Sequence, residues 1–392
     1  MDNLYQSLKE SPLFNLSLAD KEFFHSNFLA WLAERKETRH LFIEVIKSLS
    51  KKDVLWADEF INHSENFLIK REYNHFDLCI VQVKHLFYKN GKPKNDLLLP
   101  VLVLENKNKS LPENGQLRRY EDTVKEIWGN KYDKESITYI LLSLATEFPD
   151  KEMIDNDKTW SFCSYGDLAK ALKSGSSLNT YYNYLINDYV RFISILHELS
   201  QKWLKIPTYL VPNDEWELMN ECRIHDICDK IRHCHFVSIY KEKYNDEIST
   251  FYSNGAGLEW PCTKNKKGII LSIQIQNGQY RHAIVKSDKS PKIGKNYNMH
   301  NENGREWIKE SGVEKFLKVS NDDEVFEIDN KVLDNAIYPK KEERLFNVFE
   351  TVGENGYKFL YQYKRIKQDA TIEEVLDYLH SDIKRIKIEV AN

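Results

Sequence analysis

At 392 residues the chain exceeds what one hydrophobic core usually spans, so two domains are expected. With 41% apolar residues and many aromatics the composition excludes a disordered chain, and a formal net charge of only −4 neither advertises nor excludes a polyanionic partner. No apolar run approaches the ~20 residues that cross a bilayer, so no membrane association is expected. The cysteines at 79, 163, 222, 228, 234 and 262 are scattered, and the start of the chain lacks a basic-then-apolar leader. The expected compartment is the cytoplasm, with reduced thiols.

From Asp20 onward, Phe24, Phe28, Trp31 and Leu32, then Leu41, Val45 and Ile46, predict two amphipathic helices broken near Glu37 and Thr38. Residues 67–73 and 76–87 read as strands. The turn-rich NGKPKND at 90–96 leads into a third strand over 97–105. Pro100 cannot donate to a ladder, so this strand either starts beyond it or has a bulge there. Past Pro100 both faces are apolar, Val101 and Val103 against Leu102 and Leu104, which suits the middle of a sheet covered on both sides.

Residues 116–128 are helical in period, 137–144 a strand, 160–163 a short strand followed by a helix from Asp167, and SGSS at 174–177 a loop. A long helix over 181–203 closes the first domain. The order of helix, three strands, helix and strand describes an α/β domain over residues 1–204. IPTYLVPND, with two prolines, suits a linker. Residues 205–392 then read as a C-terminal α+β domain. It has a hairpin turning at Asn277-Gly278, a helix around 305–317, and a last helix opening on Thr371 and Glu374 in capping-box spacing.

The chemistry concentrates in VLVLENKNKS at 101–110. Glu105 and Lys107, two apart on a strand, share a face where buried sheet meets solvent. Asp77 lies near the start of the preceding strand. If these two strands pair antiparallel, Asp77 and Glu105 meet at one edge of the sheet. Metal-assisted phosphodiester hydrolysis needs carboxylates to hold a divalent cation and benefits from a positive charge near the attacking water. Gln116 and Tyr120 share a face of the following helix.

These residues resemble the PD-(D/E)XK nuclease superfamily, and within it a bacterial branch whose third motif reads Glu-Asn-Lys. The resemblance covers the first half of the chain: the HSNFLAWL helix with Glu22, His25 and Trp31, Asp77 in FDLCIV, VLVLENK, and GQLRRY. It implies a restriction-endonuclease-like core in which Asp77 and Glu105 bind Mg²⁺ (or Mn²⁺), with the Asn106 carbonyl as a further ligand. Lys107 would position the attacking water. Gln116 and Tyr120 would line the site, Tyr120 toward a phosphate, and Glu22, with Glu72 behind it, would extend the carboxylate cluster. Phe76 stands where the family name has proline, and Asn74, His75 and Phe76 stand where the branch often carries an arginine, which bears on substrate contacts. The implied partner is nucleic acid, DNA ahead of RNA, in defence against foreign DNA, as a homodimer or with partner subunits.

Bland readings stand beside these. His25 and Trp31 are read as packing residues. ECRIHDICDKIRHCHF packs Cys222, His225, Cys228, His233, Cys234 and His235 into a short span, but at helical period beside Ile224, Ile227 and Ile231, so a buried helix face is preferred over a zinc site. Lysines at 286, 289, 292 and 295 form a basic loop. The rival to a nuclease is a catalytically silent module of the same fold that binds nucleic acid or a protein partner.

Overall fold

The computed structural model describes residues 2–17, 21–85, 96–107, 112, 115–145, 159–173, 180–245, 248–251, 257–260, 263–264, 269–286, 316, 319, 322, 324–327, 347–350 and 358–391. The expected loop at 174–177, the turn at 90–95, the Lys289, Lys292 and Lys295 loop and all but Phe316 of the expected helix around 305–317 lie outside them. The chain divides into two compact units. One comprises Met1–Leu204 with Glu217–Ile231, the other Lys205–Trp216 with Arg232–Asn392.

The first unit is built on a five-stranded sheet in the order β1 (Phe67–Tyr73), β2 (Phe76–Lys84), β3 (Leu97–Lys107), β4 (Thr138–Ser143) and β5 (Trp160–Ser164). β1, β2 and β3 pair antiparallel, as the site hypothesis needs, and β3, β4 and β5 run parallel. The central strand is β3, buried from Leu99 to Asn106. It runs through Pro100 with a bulge, the second of the two expected alternatives. Ile80 faces Leu102 while Val81 faces Pro100, leaving Val101 as the extra residue. The Pro100 carbonyl accepts the Trp128 indole N–H at 2.9 Å.

Strand alternation sorts the core into two faces. Cys79, Val81, Val103, Tyr139, Leu141 and Trp160 pack with Leu117, Tyr120 and Val124 of α6 (Gln116–Trp128). The opposite face carries Leu78, Ile80, Leu102, Leu104, Ile140 and Leu142, all fully buried. Against β1, β2 and β3 lies α3 (Lys21–Glu34), beside α4 (Arg39–Leu49), which packs on α7 (Tyr165–Lys173); α7 in turn packs on α8 (Thr180–Trp203).

α3 departs from the one-sided burial expected of it. His25, Ser26, Phe28, Leu29, Ala30, Leu32 and Ala33 are all buried, because the sheet, α4 and the aromatic face of α8 cover most of its circumference. The break before α4 has a chemical cause. Thr38 Oγ1 donates to the Leu32 carbonyl at 2.7 Å and Arg39 Nε to Ala33 at 3.3 Å, satisfying carbonyls that the end of α3 leaves without helical partners. Among the helices not read from the sequence are α1 (Asp2–Lys9), α2 (Pro12–Ser17) and α5 (Ala57–Asn62). Tyr5 of α1 is fully buried and its hydroxyl accepts the Trp203 indole N–H at 3.0 Å.

In the second unit the described strands form an antiparallel sheet, whose hairpin pairs Ile269–Gln276 with Gln279–Lys286. Asn277 (φ 52°) and Gly278 (φ 69°) supply the two left-handed residues that such a two-residue turn demands. The helix Ile372–Ala391 opens on the expected capping box. Glu374 N–H donates to Thr371 Oγ1 at 3.2 Å and Thr371 N–H to Glu374 Oε2 at 2.7 Å. IPTYLVPND is no free linker. Tyr209 N–H donates to the Ala370 carbonyl at 2.7 Å, and Arg232 Nη2 donates to the Thr208 and Tyr209 carbonyls at 2.6 and 3.2 Å.

A charged cluster is buried in this second core. His282 Nε2 lies 2.5 Å from Asp382 Oδ2 and its Nδ1 2.6 Å from the Phe316 carbonyl, while Tyr280 and Arg385 donate to Asp382 at 2.9 and 2.6 Å. Cys222, Ile224, Ile227, Cys228 and Ile231, which belong to the first unit, and Cys234 of the second are buried, the last four on α10 (His225–Tyr244).

Candidate active site

The antiparallel register of β2 and β3 sets Leu78 against Leu104, so one step outward brings Asp77 level with Glu105. The two strands leave the sheet here for different reasons. β2 begins directly after a tight turn at Asn74 (φ 52°) and His75 (φ 70°), while β3 ends at Lys107. Asn106 N–H donates to Asp77 Oδ2 at 2.6 Å. The bond ties the start of one strand to the end of the other.

Glu105 and Asn106 are almost completely buried and Lys107 is half-buried. Lys107 Nζ stands 2.7 Å from Glu105 Oε1, the contact that two-residue spacing on one face of a strand permits. Gln116 Nε2 donates to the same Glu105 oxygen at 2.9 Å and to Tyr120 Oη at 2.7 Å, and Tyr120 donates onward to the His75 carbonyl at 2.9 Å. The first turn of α6 is thereby fastened both to the carboxylate and to the hairpin that delivers Asp77. Tyr120 points its hydroxyl at the hairpin carbonyl, which makes it a brace between α6 and the β1–β2 turn.

Burial, and after it the negative charge of Glu105, push the Asp77 carboxyl up to about 7; the Asn106 N–H and the Lys107 ammonium pull the other way. Glu72, itself left-handed (φ 54°) and exposed, adds a small upward push. Burial and the Glu105 charge also raise the Tyr120 phenol. The protein thus holds two carboxylates where water solvates them poorly, and each disfavours the other's charge.

Of the residues singled out from the sequence, the structure brings together Asp77, Glu105, Asn106, Lys107, Gln116 and Tyr120. Glu22 sits in the first turn of α3, and its side chain lies outside the described residues. His25 is fully buried, with Nδ1 2.9 Å from Tyr189 Oη, and burial lowers its pKa to about 3. It is a neutral packing residue. Trp31 packs with its ring tilted against those of Phe28 and Tyr182. Tyr165, which the sequence reading passed over, donates to Asn106 Oδ1 at 2.5 Å from the opposite face of the sheet. The signal for it was the position itself, one residue beyond β5. Among the described residues no group of three or more His, Cys, Asp or Glu side chains is placed to hold a metal ion.

The mixed sheet with α6 on one face, α3 on the other and a Glu-Asn-Lys strand end opposite an aspartate agrees with a direct comparison of families. Residues 13–191 match the family model of the PD-(D/E)XK nuclease superfamily. No curated protein and no solved structure matches the chain. A PD-(D/E)XK nuclease-superfamily domain therefore spans roughly residues 13–191, running from α2 into α8 and enclosing all five strands of the first sheet. Asp77 and the Glu105–Lys107 strand end lie well inside the matched stretch, and no described helix of the chain is long and apolar enough to cross a membrane.

Proposed function

We propose that the nuclease-superfamily domain is an active, divalent-cation-dependent nuclease of the Glu-Asn-Lys branch, hydrolysing phosphodiester bonds in DNA ahead of RNA. The observation that carries this reading is the convergence of Asp77, Glu105 and Lys107 at one sheet edge, with Asp77 pushed up to about 7 mainly by burial and by its neighbour. A donor set of two carboxylates suits Mg²⁺ or Mn²⁺, which commonly binds through one or two carboxylates and completes its shell with water and substrate phosphate. Asp77 and Glu105 would hold the cation with the Asn106 carbonyl beside them. Like charges crowded in a poorly solvated place are relieved by such an ion.

When bound, the cation supplies polarisation of the scissile phosphate and acidification of the attacking water. The chain's own residues do the rest. The Asn106 N–H fixes one Asp77 oxygen, and Gln116 and Lys107 fix one Glu105 oxygen, so neither carboxylate spends energy reorganising as substrate arrives. Lys107 would orient the water whose oxygen forms the new bond to phosphorus. It also offsets negative charge on the phosphoryl oxygens while the bond to the leaving oxygen breaks. The second unit is assigned to target recognition or oligomerisation, in a cell defending itself against foreign DNA.

The deciding assay incubates the full chain with duplex DNA, single-stranded DNA and RNA, each with Mg²⁺ and with Mn²⁺, beside Lys107→Ala. Metal-dependent cleavage by the wild type alone is expected. Equal cleavage by a folded, contaminant-free Lys107→Ala protein, or cleavage that survives exhaustive EDTA, overturns the mechanism. A silent binding module would show no cleavage at all and no uptake of cation at Asp77.

A further inference from the structure

The three parallel strands of the first sheet end level with one another. Lys107 faces Ser143, and Ser143 faces Ser164, so Tyr165, the first residue of α7, stands at the height of the Glu105–Lys107 strand end. Its ring is fully buried and its hydroxyl donates to Asn106 Oδ1 at 2.5 Å. Asn106 then uses its own backbone N–H to hold Asp77 Oδ2 at 2.6 Å. One residue thereby joins the two faces of the sheet: its side chain is gripped from the α7 side, while its peptide grips the carboxylate at the site edge.

The grip on Asn106 is itself rigidly backed. The His25 ring lies edge-on to Tyr165 with centroids 4.8 Å apart, and His25 is held in turn by the Tyr189 hydroxyl at 2.9 Å. The next residue, Gly166, leaves no room for a side chain, since a Cβ there would come within 2.6 Å of the His197 ring on α8. The start of α7 is consequently packed closely against α8 at Gly166. A peptide rotation at Asn106 would shift three things together: the Asp77 donor, the Asn106 carbonyl, and the backbone on which Glu105 and Lys107 are carried.

We propose that Tyr165 is a positioning residue for the cation-binding carboxylate Asp77, acting through Asn106; this rests on the nuclease reading above. Partners behind metal ligands of this kind typically tune cation affinity by 10–100-fold.

The test is calorimetric titration of the full chain with Mn²⁺ alone, for wild type, Asp77→Asn, Tyr165→Phe and Tyr5→Phe. Tyr5→Phe removes a buried phenol from its hydrogen bond with Trp203 in the same unit without touching Asn106, Tyr165 or His25, so it reports what mere loosening does. Tyr165→Phe is expected to weaken Mn²⁺ binding about tenfold or more, while Tyr5→Phe binds as the wild type does. Wild-type affinity in Tyr165→Phe, or equal weakening in both tyrosine variants, overturns the proposal. Should Tyr165→Phe fail to fold, the pair Tyr165→Phe with Asn106→Leu removes donor and acceptor together, which is close to neutral for folding, and must show the same weakening. Failure of the nuclease reading looks different: the wild type then takes up no Mn²⁺, or Asp77→Asn binds it equally well, and this proposal falls with it.

Discussion

Asn106 N–H donates to Asp77 Oδ2 at 2.6 Å, so the strand that carries Glu105 also carries the donor that holds the opposing carboxylate. One acid is therefore held by a backbone donor of the sheet acting on the Asp77 side chain, and the other, Glu105, by the side chains of Lys107 and Gln116.

Lys107 Nζ stands 2.7 Å from Glu105 Oε1, and the residue is half-buried at the strand end. Replacing it with alanine is expected to lower the rate of DNA cleavage about 10²–10³-fold, the usual cost of deleting one preorganised charge-stabilising group. Far-UV circular dichroism of the variant should match the wild type. Initial rates on duplex DNA with Mg²⁺ check the prediction.

Asp77 has its pKa raised from 3.8 to about 7, chiefly by burial. Between those values the folded, cation-free protein binds more protons at this site than the unfolded chain does. The associated stability is fully present below the ordinary carboxylate pKa and is lost as pH rises through about 7. His25, whose pKa falls to about 3 on burial, works in the opposite sense below its ordinary value. The readable quantity is thus the difference between wild type and Asp77→Asn. In EDTA, wild-type melting temperature should fall relative to the variant between pH 5 and pH 8; parallel curves would show that Asp77 titrates normally.

Under the proposed reading a cation held by Asp77 and Glu105 would bind the folded state alone. At a concentration one hundred times its dissociation constant it should stabilise the domain by about 2.7 kcal/mol. Mn²⁺ should accordingly raise the melting temperature of the wild type and leave that of Glu105→Gln unmoved. An equal rise in both proteins would place the ion elsewhere.

In the second unit, burial works to raise the Asp382 carboxyl, yet the His282 hydrogen bond and the charges of His282 and Arg385 hold it below its ordinary value. Asp382→Ala strands a buried imidazole and a guanidinium together, which typically costs about 3–5 kcal/mol. Hydrogen exchange in the Gln279–Lys286 strand should accelerate sharply in this variant. Protection at the wild-type level would mean the cluster contributes little.

Thr371 and Glu374 satisfy each other's backbone N–H groups at the start of the last described helix. Thr371→Ala is expected to destabilise the second unit by about 1 kcal/mol. Urea unfolding followed by circular dichroism checks this against Thr371→Ser, which keeps the hydroxyl.

The local periodicities of this chain determined a good deal. The strands read at 67–73, 97–105 and 160–163, the helix Gln116–Trp128, the turn at Asn277-Gly278 and the capping box each depend on neighbours within a few residues, and such signals survive in a single sequence. Glu105 and Lys107 share a face for the same reason. What tertiary structure decided is everything that joins distant segments. The bulge at Val101, the level ends of β3, β4 and β5, and the anchoring of IPTYLVPND by Arg232 follow from pairings across dozens of residues, which no local pattern encodes. α3 reads as amphipathic until α4, α8 and the sheet are seen to enclose it. Tyr165 is the sharpest case: it sits 59 positions from Asn106, and only the parallel register of two intervening strand pairs sets its hydroxyl against that side chain.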